Sequence, residues 1–564
     1  MTRIDLSAFI KAYDVRGTVP DQLNPEVCRV LGAAFAEVVA IPEGAEQVVI
    51  GHDMRPSSPE LSRAFAEGVR DRGVGAILIG LCSTDGLYHA SGMLNLPGAM
   101  FTASHNPAQY NGIKLCRAGA RPVGQDSGLF QIKDVAQQWL DAADHDVATE
   151  RGGLEERSTL ADYAAFLRSL VDLSGSRPLK VVVDAGNGMG GLTVPAVLGT
   201  AAGLADLPLE IIPLYFELDG TFPNHEANPL DPANIVDLQA AVLEHGADLG
   251  LAFDGDADRC FAVDEQGRAV SASAITGLVA TREIAREVAA GKNAADVSIV
   301  HNVITSAAVP EVIAEAGATA VRTRVGHSFV KATMAQHQAV FGGEHSAHYY
   351  FRDFWFADTG MLAAMHVLAA LGEQQGTLSQ LIGAFDRYPA SGEINSTVAD
   401  VPAVTARVKA WAQAQGAQID EVDGLTATFA GSDAAPMWWF NLRPSNTEPL
   451  LRLNAEAGDL ATMERIRDAV LAIVRAPQAQ TTEPAEAAAP VAAAAPAAAV
   501  APVAAAANLE PWLREILRCP ACRGDLRDAT GLNGAPELVC TQCALAYRID
   551  DGIPVLLVDE ARQA

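Results

Sequence analysis

Three things are scarce in this chain, and each scarcity narrows what it can be. Positive charge is short: 40 Lys and Arg stand against 69 Asp and Glu in 564 residues, a formal charge of −29. That balance argues against a nucleic-acid or anionic-membrane surface as the main partner, and leaves any anion to be gathered by local Arg and Lys. Long apolar runs are also missing. No stretch reaches the roughly 18 bulky apolar residues of a membrane span. The N-terminal MTRIDLSAFIKAYDVRG holds no signal-peptide core, so a cytoplasmic protein without a membrane partner is expected. Cysteine is sparse too. Cys28, Cys82, Cys116 and Cys260 are scattered and read as reduced thiols, while Cys519, Cys522, Cys540 and Cys543 fall in two pairs.

What is present implies several domains, because nearly half the residues are apolar and the chain is long. QVVIGHD (47–53), GAILIG (75–80) and AMFTASH (99–105) read as buried strands, with LSRAFAEGVRDRG (61–73) as a helix between the first two. This βαβ rhythm implies parallel sheet. It restarts at LKVVVDAGNG (179–188) with DLGLAFDGD (248–256), and again at VSIVHNV (297–303) with PEVIAEAG (310–317) and TAVRTRVGHS (319–328). From about 390, strands flank a helix in an α+β pattern. The expected fold is therefore three similar α/β domains and a smaller α+β domain. The boundaries are set at 1–153, 154–270, 271–388 and 389–475, with a proline-cut Ala-rich tether at 476–508 and a cysteine-bearing module at 509–564.

Two motifs carry chemistry on residue type alone. In DGDADR (254–259), Asp254, Asp256 and Asp258 alternate, so an extended loop can converge them on one hard cation. An EF-hand matches in part, with Glu265 at its twelfth position, but Arg259 stands where that loop needs glycine, and the flanks read as strands. A Mg²⁺ site between two strands is preferred over a solvated acidic turn. CPAC (519–522) and CTQC (540–543), seventeen residues apart, match a Cys₄ zinc pattern, in which a structural Zn²⁺ substitutes for a core in a small module. A redox pair is the rival reading.

TASHNP (102–107) is open on its own. Ser104 serves as a helix or turn cap, or as a nucleophile. A Ser-His-Asp hydrolase is disfavoured because no GxSxG elbow is present. GNGMGG (186–191) does not keep GxGxxG spacing, which argues against a dinucleotide site. FPNHEANP (222–229) is assigned to architecture near the acidic loop.

TASHNP with YNGIK, DGDADR, GEHSAH (343–348) and RPSNTEP (443–449), in this order, resemble the α-D-phosphohexomutase superfamily, phosphomannomutase/phosphoglucomutase branch, over roughly residues 8–475. That resemblance implies four domains around a central cleft. It also implies interconversion of hexose 6-phosphate and hexose 1-phosphate through a phosphoserine at Ser104 and a hexose 1,6-bisphosphate, with mannose and also glucose phosphates as substrates. Phosphoglucosamine mutase, or a scaffold acting through the C-terminal module, are the alternatives. Mg²⁺ would be held by Asp254, Asp256, Asp258 and Ser104. Arg16, Lys114 and Arg259 would supply charge or proton-transfer help, His105 would orient the phosphoserine, and His327 would aid proton transfer. Tyr13 and Arg16, in AYDVRG, match the N-terminal active-site loop. Glu344, Ser346 and His348 would read the sugar, and Arg443, Ser445, Asn446 and Thr447 would grip the second phosphate. Mannomutases show Met and Gly where this chain has His345 and Ala347. A lysine common before VGHSFVK is missing from HNVITSAA, with Arg322 or Arg324 as candidates for its charge. The C-terminal module resembles a zinc-ribbon family with members that bind and activate methyltransferases, which implies a protein partner, with IPVLLV (553–558) as a contributing apolar surface.

Overall fold

A computed structural model describes residues 4–11, 14–142, 147–432, 435–444, 450–476, 517–522, 524–530, 536–550, 553–556 and 561–563. The chain divides into two compact units, Met1–Pro477 and Gln478–Ala564.

The first three sheets of the larger unit share one plan. In the first, Leu154–Glu156, Gly75–Leu81, Gln47–His52 and Gly98–Phe101 run parallel, and Gly98–Phe101 then turns back into antiparallel Tyr110–Arg117, which pairs in turn with Val15–Thr18. In the second, Leu209–Leu214, Leu179–Asp184 and Leu249–Phe253 are parallel, and Leu249–Phe253 turns back into Cys260–Asp264. In the third, Thr319–Thr323, Ser298–Asn302 and Phe341–Gly343 are parallel, and Phe341–Gly343 turns back into Tyr349–Phe351. The sheets are thus mixed, not purely parallel as the βαβ rhythm implies. The antiparallel return sits on the edge that lacks a crossover helix, and so needs only a hairpin.

That shared return places the chemistry. TASHNP, DGDADR and GEHSAH are the three hairpin connections, each at the carboxyl end of the last parallel strand, where α/β sheets carry their ligands. The first of these strands ends at Phe101, earlier than the sequence reading placed it, so Ser104 lies wholly in the turn. The first sheet also takes in Leu154–Glu156, past residue 153.

The fourth sheet is antiparallel throughout, in the order Ala390–Thr397, Leu450–Ala457, Trp438–Pro444, Leu425–Phe429, Gln418–Asp420. Helices Val401–Ala414 and Leu460–Val474 bury Val404, Val408, Ile466 and Val470 against it. Asp400 and Asp459 cap these helices by accepting from Ala403 and Thr462 amides. In the smaller unit, Leu526–Thr530, Pro536–Cys540 and Leu545–Asp550 form an antiparallel sheet, and among the described residues Cys519, Leu538, Cys540, Tyr547 and Ile549 form its buried cluster. Among the described residues no helix is long and apolar enough to cross a membrane.

Candidate active site

The hairpin loops of the first two sheets meet at Ser104. Its side chain is 3% exposed, and its φ of 49° lies in the left-handed region, a strain that persists only where surroundings enforce it. Ser104 Oγ donates to Asp254 Oδ2 at 2.8 Å and accepts from Arg259 Nη2 at 3.2 Å. Arg259 Nε also donates to Asp254 Oδ2 at 2.8 Å. Lys114, from the strand after TASHNP, reaches Asp256 at 2.7 Å and Asp258 at 2.5 Å. Burial opposes its charge, but Asp256 and Asp258 outweigh it and hold the ammonium well above its ordinary pKa.

The three loop aspartates are fully buried, and their ligand oxygens lie within 4.8 Å of one another. Burial, then crowding by Asp258 and Asp256, pushes Asp254 up to about 7, with Arg259 opposing. Asp256 Oδ1 and Asp258 Oδ1 have no hydrogen-bond partner among the described residues. A buried carboxylate oxygen left bare is costly, and a hard divalent cation satisfies it. The donor set therefore fits Mg²⁺. Asp256 is further oriented by Thr84, whose Oγ1 donates to Oδ2 at 2.6 Å and whose amide donates to the Asp256 carbonyl at 3.0 Å. Ala227 of FPNHEANP lies beside Gly255 of the acidic loop, as the sequence assignment requires.

A cavity of about 100 Å³ beside this cluster is lined by Arg16, Ser104, His105, Lys114, Asp258, Arg259, His327 and His348, so residues selected from six separate motifs converge there. Arg16 Nε pairs with Asp14 at 2.8 Å, and its guanidinium reaches Asn106 Oδ1. His105 Nδ1 lies 3.3 Å from Ser104 Oγ beside Arg259. Burial, then Arg259 and Arg16, push its pKa down to about 2, so it is a neutral ring. Burial and Lys331 likewise push His327 down to about 3. His348 moves the other way. Burial disfavours its charge, but Asp258 and Asp358 overcome it, and Nδ1 lies 2.9 Å from Asp358 Oδ2.

Other candidates stand apart from that cavity wall. Glu344 is 2% exposed and accepts from Tyr350 Oη at 2.5 Å, Asn302 Nδ2 at 3.1 Å and the Gly326 amide at 3.2 Å. Ser346 is half-buried in the same loop. Arg443 lies opposite Arg452 in the fourth sheet, and its Nε has no partner among the described residues. Tyr13, Ser445, Asn446 and Thr447 lie outside the described residues. Neither arginine offered for the missing lysine lines the cavity. Arg322 pairs with Asp420, and Arg324 sits 4.6 Å over the Phe329 ring. Lys331 does not line the cavity either, but it is a buried cation against two residues that do, 2.7 Å from Asp358 and 4.2 Å from the Tyr88 ring centroid.

Sequence reasoning also missed Arg55, in HDMRPSS. Its buried guanidinium donates to the carbonyls of Ser104 (2.9 Å), Asn106 (2.6 Å), Pro107 (2.9 Å) and Tyr110 (2.9 Å), and so holds the whole turn. A basic residue just past a buried strand was the available signal. Asp85 was missed as well. It accepts from Tyr163 Oη and Thr359 Oγ1, each at 2.6 Å, and so ties the first domain's helix to the two that follow.

In the smaller unit the sulfurs of Cys519, Cys522, Cys540 and Cys543 lie within 4.8 Å of one another, with Cys519–Cys543 at 3.6 Å and Cys522–Cys540 at 3.4 Å. Zn–S bonds of about 2.3 Å place tetrahedral sulfurs roughly 3.8 Å apart, so the cluster fits zinc. The Gln542 and Cys543 amides point at Cys540 Sγ, at 3.4 and 3.5 Å. Cys28, Cys82, Cys116 and Cys260 are buried free thiols, in line with the reading from sequence.

Models of the phosphoglucomutase/phosphomannomutase alpha/beta/alpha domains I, II and III match residues 8–140, 161–267 and 274–388, the C-terminal domain of that family matches 393–473, and a Trm112p-like protein model matches 511–552. The chain is 42% identical over 462 residues to phosphohexose mutases of Xanthomonas campestris, covering 81% of this chain and 97% of the relative. It is 38% identical over 471 residues to a phosphomannomutase of Salmonella typhimurium, covering 82% and 98%. A phosphoglucomutase/phosphomannomutase family protein from Burkholderia thailandensis superposes with a TM-score of 0.72 at 29% identity, covering 84% of this chain and 98% of its own. With its hairpin loops gathered on one serine and these relatives spanning all four domains, the chain belongs to the phosphoglucomutase/phosphomannomutase family: it is a phosphohexomutase, an intramolecular phosphotransferase, with a Trm112p-like domain at its C-terminus.

Proposed function

We propose that the protein interconverts hexose 6-phosphates and hexose 1-phosphates, with mannose and glucose phosphates as substrates, through a phosphorylated Ser104 and a hexose 1,6-bisphosphate. The observation that carries this reading is the setting of Ser104, a strained, buried hydroxyl between the Asp254 carboxylate and the Arg259 guanidinium. A hydrolytic triad needs a carboxylate on the histidine. His105 instead lies against Ser104 and the Arg259 guanidinium.

Asp254, Asp256, Asp258 and Ser104 are the residues that would hold Mg²⁺, which supplies charge neutralisation to the phosphoryl oxygens when bound. The chain's own cations do the rest. Phosphoryl transfer asks for positioning and for positive charge where the equatorial oxygens gain negative charge. Arg259, bonded to Ser104 Oγ, and Lys114 and Arg16, which line the same cavity, take that role. His105, a neutral ring against Ser104, orients the phosphoserine. His327 assists proton transfer from the opposite wall, and His348, held at Nδ1 by Asp358, faces the sugar with its other nitrogen. Glu344 Oε1, bonded only by Tyr350 Oη, keeps a lone pair, while Oε2 already accepts from Asn302 and the Gly326 amide, so Oε1 and Ser346 accept sugar hydroxyls, and a substrate lacking those hydroxyls binds poorly. Arg443, Ser445, Asn446 and Thr447 grip the phosphate that is not reacting, so the bisphosphate turns over without leaving. In the C-terminal unit, Zn²⁺ on the four cysteines is structural, and the ribbon, with apolar 553–558, docks a protein partner.

The test is Ser104→Ala, assayed with mannose, glucose and glucosamine 1-phosphates. Turnover is expected to vanish with every sugar, and incubation with labelled bisphosphate should leave no label on the variant. Wild-type-like activity would end the phosphoserine reading. In the wild type, a preference for glucosamine phosphate would overturn the substrate assignment.

A further inference from the structure

GNGMGG, between strand Leu179–Asp184 and helix Gly190–Val197, keeps no nucleotide-binding spacing, and the chemistry above leaves it unused. Its place in the fold gives it a use. A Cβ on Gly188 would lie 2.7 Å from the Gly255 carbonyl oxygen and 2.9 Å from the Gly255 Cα. Gly255 is the second residue of DGDADR. A Cβ on Gly255 would in turn lie 2.4 Å from the Ser104 carbonyl oxygen. Three backbones are therefore stacked with no side chain between them: the glycine loop, the acidic loop and the serine loop.

The stack is also bonded. The Met189 amide donates to the Gly255 carbonyl at 2.9 Å, and Arg55 holds the Ser104 carbonyl from the far side at 2.9 Å. Each layer carries a non-glycine residue in the left-handed region: Asn187 (φ 58°), Ala257 (φ 58°) and Ser104 (φ 49°). Such conformers, one in each layer, persist only where surrounding contacts enforce the backbone.

We propose that the Gly188–Met189 backbone of GNGMGG is the floor that sets the height of the acidic loop beneath Ser104, and that Gly188 is a positioning residue for phosphoryl transfer. This rests on the assignment of Asp254, Asp256 and Asp258 to a divalent cation. A methyl at 188 has to be relieved from 2.7 Å to an ordinary carbon–oxygen contact of about 3.3 Å. Gly255 then moves by roughly 0.6 Å, carrying Asp254 and Asp256 with it, more than the roughly 0.5 Å tolerance of a working constellation. Supporting groups of this kind typically change metal affinity by about 10–100-fold.

The experiment compares full-length Gly188→Ala with Gly190→Ala, a change in the same loop whose Cβ would first meet the Ala185 and Phe253 Cβ atoms at an easier 3.3 Å and the Ala185 Cα at 3.4 Å. Mn²⁺ binding is measured by electron paramagnetic resonance, and kcat and KM at saturating Mg²⁺. Gly188→Ala should weaken Mn²⁺ binding by about 10–100-fold and lower kcat at least roughly tenfold, with KM for the sugar phosphate little changed. Gly190→Ala should stay within about twofold on each. In the wild type, which needs no variant to fold, Mg²⁺ should slow amide exchange in the peptide carrying Met189, because that amide bonds to the acidic loop. A folded Gly188→Ala with wild-type affinity and kcat, or exchange at Met189 indifferent to Mg²⁺, overturns the floor assignment. Failure of the wild type to bind Mn²⁺ overturns it together with the metal assignment.

Discussion

The substitution Arg55→Lys isolates the hold on the serine loop from the charge that accompanies it. Arg55 is 1% exposed and spends four N–H bonds on the carbonyls of Ser104, Asn106, Pro107 and Tyr110, with Asp53 3.3 Å from its Nε. Burial works against charge on both partners, lowering the pKa of Arg55 and raising that of Asp53, and the pair persists because each offsets the other. An ammonium has three donors at one point, where the guanidinium is a planar fork. The substituted lysine keeps at most two of the four carbonyls without losing Asp53. Two acceptors are left unmade, and because three of the four bonds are only part-buried each loss counts for about 1 kcal/mol or more, so the turn loses at least about 2 kcal/mol of local stability. Amide exchange in the peptide spanning 102–110 should accelerate at least roughly 30-fold, and kcat should fall about 100-fold, the order expected when a reacting group shifts by an ångström. Exchange and kcat within twofold of wild type would refute the argument that the guanidinium, and not packing alone, sets the position of Ser104.

Cys519→Ser should remove the one zinc per chain expected by elemental analysis and unfold the small C-terminal unit, and full zinc retention in that variant would exclude the Cys₄ site. His89 tests acid sensitivity. Its ring is buried among Tyr163, Phe166 and Trp355, neither nitrogen has a partner among the described residues, and burial pushes its pKa from 6.5 to about 4. The unfolded chain takes up the proton first, so stability is fully present above about 6.5 and is lost as pH falls toward 4. At pH 5 this amounts to about 2 kcal/mol, and His89→Leu should flatten the loss of urea stability between pH 7 and pH 5 by that amount.

GEHSAH shows how local chemistry and tertiary contact divide the work. Ala347 adopts a φ of 64°, a conformation glycine takes freely, at the position where mannomutases carry glycine, so the departure seen in sequence corresponds to stored backbone strain. That Glu344 faces Asn302, Gly326 and Tyr350 could not be read from the motif. Those partners come from another strand, a loop and the returning edge of the hairpin. Lys331 was likewise invisible as a buried cation behind the cavity wall, because only burial against Asp358 and Tyr88 distinguishes it from an ordinary helix lysine.

What the sequence determined by itself is whatever depends on near neighbours. The strand-and-helix alternation follows from apolar periodicity, the acidic cluster from alternating aspartates, and the four-cysteine cluster from cysteine spacing, because in each case the residues that must cooperate lie within one loop or repeat a short pattern. What only the tertiary structure decided is register between loops far apart in the chain: that three hairpin returns lie at equivalent edges of three sheets, that Arg55 holds the turn bearing Ser104, and that Gly188 and Gly255 leave room for three backbones to touch. Those relations are set by packing at separations of tens to hundreds of residues, where a glycine or an arginine gives no sign in its own neighbourhood of what it will meet.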